Sequence, residues 1–76
     1  MAELIVKRLT DEQAQLARRT GIKVFLRAGG RLYEGTFDQT RGDPDEFYFV
    51  GTGVDKPSER ITLLGKANEF SQEVRT

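Results

Sequence analysis

The chain has 76 residues, and its twelve Lys and Arg are balanced by twelve Asp and Glu, which argues against a general polyanion binder of the strongly basic kind. It contains no cysteine and no histidine, so disulfides, thiol nucleophiles, imidazole bases and a standard Cys/His zinc site are excluded. A chain this short makes one domain with one small core, and is marginal alone because it buries only about 60% of the surface its unfolded state exposes.

The start, "MAELIVKRLTDEQ", has three consecutive apolar residues, no signal-peptide pattern and nothing near the roughly 20 apolar residues of a membrane span. The expectation is a cytoplasmic protein. Residues 1–9 read as an N-terminal arm or short strand. Residues 10–20 read as a helix. Thr10 and Gln13 are spaced for a capping box, Asp11 and Glu12 suit the positive end of the helix dipole, Arg18 and Arg19 suit its negative end, and Gly21 can close it in the left-handed conformation. The apolar side of this helix is thin: Ala14, Leu16 and Ala17, with Leu9 ahead of the cap.

After Gly21 the hydrophobic period changes from helical to two. In "IKVFLR" Ile22, Val24 and Leu26 share one face, and Lys23, Phe25 and Arg27 the other. "AGG" makes a turn, "RLYEGTF" follows, and the polar "DQTRGDPDE" separates it from "FYFV". "GTGVDKPS" leads to "RITLLG", and "NEFSQEV" closes the series with Phe70 and Val74 on one side. Short strands joined by turns argue for an antiparallel meander closed into a small barrel, because closure removes exposed edges. The expected fold is mostly β: a short helix, then a strongly bent five-stranded SH3-like barrel over residues 22–75, all in one domain. Ile22, Val24, Leu26, Tyr33, Phe37, Phe47, Phe49, Ile61 and Leu63 supply the expected core. Gly35 lies between Tyr33 and Phe37 inside a strand; a glycine there marks a sharp bend or a close backbone approach.

No catalytic constellation stands out. Asp43, Asp45 and Glu46 lack the ligand number and spacing of a cation loop and read as a solvated turn. "GTGVDK" lacks the spacing of a phosphate loop and opens no helix. No metal or cofactor is expected, and the protein is not expected to be an enzyme. Charge is unevenly spread: seven basic against three acidic residues up to Arg31, five against nine after it. Opposite faces of opposite sign suit head-to-tail subunit contact, and the basic half suits a phosphate backbone. Bases stack on aromatic rings, so Phe25, between Lys23 and Arg27, and Tyr48 are candidate RNA-binding rings, with packing as the alternative role for each. Arg18 and Arg19, with Lys7 and Arg8, make a candidate basic surface.

The order helix, alternating strand, glycine turn, apolar residue, glycine and apolar residue, with Val24, Leu26, Gly30, Tyr33, Gly35 and Phe37 in these places, resembles the Sm-like family, which includes Sm, LSm and Hfq proteins; this chain resembles a divergent member. Leu64 precedes Gly65 where that family has arginine, and no asparagine follows Phe37. The resemblance implies a bent five-stranded barrel with Gly30, Tyr33, Gly35 and Phe37 defining the fold. It also implies a homo-oligomeric ring in which residues 59–64 of one subunit pair with 70–74 of the next. It implies single-stranded RNA bound near the pore, where Arg41 and Lys66 are the cations carried over by position. The alternative is an SH3-like barrel, in a phage or mobile-element assembly for example, acting as a protein-interaction or structural module without nucleic-acid binding.

Overall fold

In the computed structural model, which describes residues 5–74, the hydrophobic alternation becomes one antiparallel sheet. Its strands are β1 (Val6–Arg8), β2 (Val24–Ala28), β3 (Arg31–Phe37), β4 (Phe47–Gly53), β5 (Arg60–Gly65) and β6 (Phe70–Glu73). One helix, α1 (Asp11–Thr20), lies between β1 and β2, and a 3-10 turn (Ala67–Glu69) links β5 to β6. The protein is mostly β with one helix, as the sequence predicts. It has six described strands, not five, because part of the arm pairs with β6. Residues 1–4 of the expected arm and residue 75 of the expected barrel lie outside the described residues.

The sheet order is β1-β6-β2-β3-β4-β5. In a flat sheet β4 and β6 would lie roughly 14 Å apart, since two strands separate them and neighbours are about 4.8 Å apart. Yet the Phe49 and Phe70 ring centroids are 5.5 Å apart, and Phe37 meets Phe70 edge-on at 4.9 Å. The sheet therefore curls on itself into a barrel-like shell around these rings.

The backbones of β3 and β4 approach closely where Gly35 pairs with Gly51. A Cβ on Gly35 would lie 2.0 Å from the Val50 carbonyl oxygen and 2.5 Å from the Gly51 Cα. The glycine permits a backbone approach that no side chain allows. The β2–β3 turn needs two glycines for a different reason: Gly29 and Gly30 take φ of 57° and 76°, the left-handed region that favours glycine.

Val24, Leu26, Phe37, Phe47, Phe49 and Phe70 are buried in the core, and Tyr33, Ile61 and Leu63 pack against it half-buried. Leu9, Ala14, Ala17 and Ala67 complete it. Ile22, expected inside, is 46% exposed; it falls before the first residue of β2, where no neighbouring strand covers it. Leu16 is also exposed. Only Ala14 and Ala17 of α1 are buried, and these small side chains bring the helix backbone close to the shell.

The helix ends match the sequence expectation. The Thr10 hydroxyl accepts from the Gln13 N–H, the Gln13 side chain accepts from the Thr10 N–H, and Gly21, at φ 73°, donates to the Ala17 carbonyl.

Candidate functional site

The candidate residues do not converge on one pocket. Phe25 is 4% exposed and stands outside the main core, flanked across the sheet by Glu34 and Ser71. Beside it Lys23 pairs with Glu34 at 2.9 Å. A ring so covered packs and offers no face to a base. Arg18 is also engaged: its guanidinium donates to the carbonyl oxygens of Asp43 (2.9 Å), Glu46 (3.2 Å) and Pro44 (3.4 Å) and to the Gln15 amide oxygen (2.6 Å). The same group lies 4.5 Å from the centroid of the Phe47 ring. Gln15 reinforces it by donating to the Pro44 carbonyl. The acidic loop is therefore bound to α1 through its backbone, with Asp43 and Asp45 exposed.

Arg19 is exposed, and its carbonyl accepts from the Gln39 amide at 3.5 Å. Lys66 lies in a shallow groove with Leu9, Thr10 and Asp11, where its backbone N–H donates to the Glu69 carboxylate at 2.6 Å. Arg41 and Tyr48 are brought together: the guanidinium carbon lies 5.3 Å from the ring centroid, within cation–π range. Tyr48 is half-buried, its cross-strand neighbour Leu64 is 50% exposed, and Val50, two residues along, is 39% exposed. Next to Arg41, the Asp38 carboxylate accepts from the Thr40 N–H and hydroxyl, both at 2.7 Å; chiefly the backbone bond holds its pKa below the ordinary value.

A groove of about 390 Å³ opens between the β2–β3 and β4–β5 turns. Arg31 and Lys56 (3.6 Å) both reach Glu59 there, and Arg27 lines the same groove. The Arg31 hydrogen bond is the first cause that lowers the Glu59 pKa and raises that of Arg31.

Two features escape sequence reasoning because they depend on which strands are neighbours. One is the edge formed by β5. The bond from Gly53 N–H to the Glu59 carbonyl fixes the alternation, so Ile61 and Leu63 turn their backbone groups toward β4, and Arg60, Thr62 and Leu64 turn theirs outward. The other is the edge formed by β1. The bonds Val74 N–H to Ile5 carbonyl and Leu9 N–H to Phe70 carbonyl leave Val6 and Arg8 pointing away from β6. Beside β1 lies a larger groove, about 660 Å³, which Val6 and Arg8 line.

Among the described residues no three or more acidic side chains gather as a metal cluster, and no described helix is long and apolar enough to cross a membrane. Compared with protein families, curated proteins and solved structures, the chain matches none.

Proposed function

We propose that the protein is a non-catalytic binding module that pairs with a second copy of itself through the free edge of β5. One observation carries this: among the described residues β5 bonds only to β4, it runs six residues without proline, and it exposes Leu64, with exposed Val50 on the neighbouring strand. An unprotected apolar edge is a template for another strand. A two-fold antiparallel pairing centred on Thr62 sets Arg60 beside Leu64 of the second copy and brings Glu59 near its Lys66. Such a contact closes with two copies.

A head-to-tail ring is a less favourable use of the same edge. It needs a β6 edge, which β1 already covers, or the β1 edge itself, where Lys7 and Arg8 would meet Arg60. Size-exclusion chromatography with light scattering at micromolar concentration tests the pairing. Twice the chain mass is expected, a strict monomer removes self-assembly, and a larger closed oligomer replaces the two-fold pair with the ring.

Single-stranded RNA binding is the second function we propose for this chain, and the Arg41–Tyr48 contact favours it. A base stacked on Tyr48 with Arg41 against its phosphate gains about 1–3 kcal/mol from the ring. Affinity for a U-rich or A-rich oligomer should then fall steeply with salt and drop in Tyr48→Ala. Absence of binding at low salt leaves only the protein-pairing module.

A further inference from the structure

In a single copy of the chain the surroundings of Tyr48 are electrically balanced. Tyr48 projects from the outer face of β4, because its neighbours Phe47 and Phe49 are in the core and side chains alternate along a strand. Arg41 brings one cation to the ring. Beside it stands the Asp38 carboxylate, whose pKa is lowered chiefly by the Thr40 N–H and in smaller part by Arg41. Cation and anion offset each other, whereas affinity for a phosphate backbone comes from cations in excess. The rest of the acidic loop is drawn the other way: Arg18 holds the carbonyls of residues 43, 44 and 46 while lying over Phe47, on the inner side of the sheet.

Pairing through β5 changes this balance. Tyr48 lies opposite Leu64 across β4 and β5, and two-fold pairing centred on Thr62 sets Arg60 of the second copy opposite Leu64 in turn. The three side chains then share one face and one row. Two strand spacings place the second copy's Arg60 about 10 Å from Tyr48 between Cα atoms, a gap that a long side chain and a nucleotide span together. The chain's own Arg60 sits opposite Thr52, four residues along from Tyr48 and about 14 Å away. Arg60 is exposed and forms no ion pair among the described residues, so its charge is available. We infer that the RNA site is shared between two copies: Tyr48 of one stacks a base, and Arg60 of the other takes the neighbouring phosphate. The shared site rests on both proposed readings, pairing through β5 and RNA on Tyr48.

Farther along the same row the second copy presents Thr52 and then Glu34, and that carboxylate is paired with Lys23 of its own chain at 2.9 Å. An acidic peptide would meet the same Arg60 but leave the ring unused. The two-fold makes two shared sites per pair and reverses their direction. A strand of RNA has polarity, so each site takes its own short oligomer.

The test is fluorescence-polarisation titration of the full chain with a short labelled oligo-U at low salt. Light scattering checks pairing and circular dichroism checks the fold of every variant. Tyr48→Ala and Arg60→Glu should each weaken binding by about tenfold, the scale of one lost stacking or charge-assisted contact. An equilibrated equimolar mixture of the two variants contains mixed pairs, in which one site keeps both Tyr48 and Arg60 and the other has lost both. Wild-type affinity should therefore return in about a quarter of the sites. Thr62→Pro, which removes the pairing, should weaken binding as much as Arg60→Glu does, and adding Arg60→Glu to it should change nothing further. The inference is overturned by a mixture without a tight phase, by Arg60→Glu weakening the Thr62→Pro chain as much as the wild type, or by an oligo-Glu peptide binding where oligo-U does not. A wild type that stays monomeric removes the pairing reading and this site with it, and one that pairs without binding oligo-U removes the RNA reading. A pair that binds oligo-U without complementation removes the shared site alone.

Discussion

A Cβ at Gly35 would meet Val50 and Gly51 backbone at 2.0 and 2.5 Å, and Gly35 is not among the glycines with positive φ. The constraint at this position is steric, not conformational. Because the obstructing atoms are main chain, they cannot turn aside as a flexible side chain would. Gly35→Val should therefore lose about 3 kcal/mol or more of stability, the upper end of overpacking costs, and urea denaturation measures it. A well-folded variant with an unchanged midpoint would show that β3 and β4 can separate at their glycine pair. Glu59 shows a weaker residue-scale effect. Its folded pKa lies below the ordinary value because Arg31 hydrogen-bonds the ionised form. The sign follows: this contribution is present above the unfolded pKa, near 4.3, and is lost as pH falls through the still lower folded value. Glu59→Gln should thus be less stable than the parent near neutrality, and the two should converge once pH has fallen below the folded pKa of Glu59. The pair is solvent-exposed, so the gap should also shrink with added salt. Thermal melts across pH and ionic strength test both trends.

At the scale of elements, α1 holds the loop between β3 and β4 more than it contributes apolar area. Arg18 reaches three carbonyl oxygens of that loop, and its guanidinium lies against Phe47. Arg18→Ala should cost about 1–2 kcal/mol, a partly solvated set of hydrogen bonds to a charged donor. Lysine should not restore it, because a single ammonium cannot match the planar fork. Hydrogen exchange should rise in residues 38–46 first; an unchanged loop would mean that Gln15 and Gln39 hold it alone. How much of this is legible in the sequence depends on range. The helix caps at Thr10 and Gly21 and the turn at Gly29 and Gly30 are readable because each is decided within a few residues. β1 is only half readable: residues 1–9 read as an arm or a short strand, and "VKR", which has no apolar alternation, takes the strand form where β6 offers it an edge. Arg18 reads locally as a complement to the helix dipole, and its partners lie 25 to 28 residues away. Phe25 is opposite Val24 and Leu26 by period two, yet it is buried, a matter of what the curled sheet places beside it. Of the candidate binding residues, Arg18 and Arg19 line one shallow groove as chain neighbours, and Arg41 meets Tyr48 in a loop-to-strand contact that spans seven positions.

For the whole molecule the deciding quantity is the number of unpaired edges. A barrel closed by hydrogen bonds has none, but among the described residues this sheet has two, β1 and β5, and they differ. β1 is three residues long with Lys7 and Arg8, features that blunt an edge. β5 has six residues, Ile61, Leu63 and Leu64 among them, and only Arg60 as a charge. The asymmetry makes β5 the edge that accepts a copy of itself, and Thr62 is the position that isolates this claim. Its N–H points away from β4, so proline there removes no bond of the β4–β5 ladder, and proline is tolerated on the open side of an edge strand. Its side chain is exposed, so no core contact is lost. Thr62→Pro should therefore convert a pair into a monomer by light scattering while shifting intrinsic stability by no more than about 1 kcal/mol, the scale of exposed strand preferences. Thr62→Val, which keeps the N–H, should remain paired. If the proline variant still pairs, self-association runs through another surface, with Ile5, Leu16, Ile22 and Val74 the other exposed large apolar side chains among the described residues. If it loses both pairing and fold, the ladder of β5 is not oriented as the Gly53–Glu59 bond indicates. Retention of fold with loss of mass is the result that assigns the oligomer to this edge.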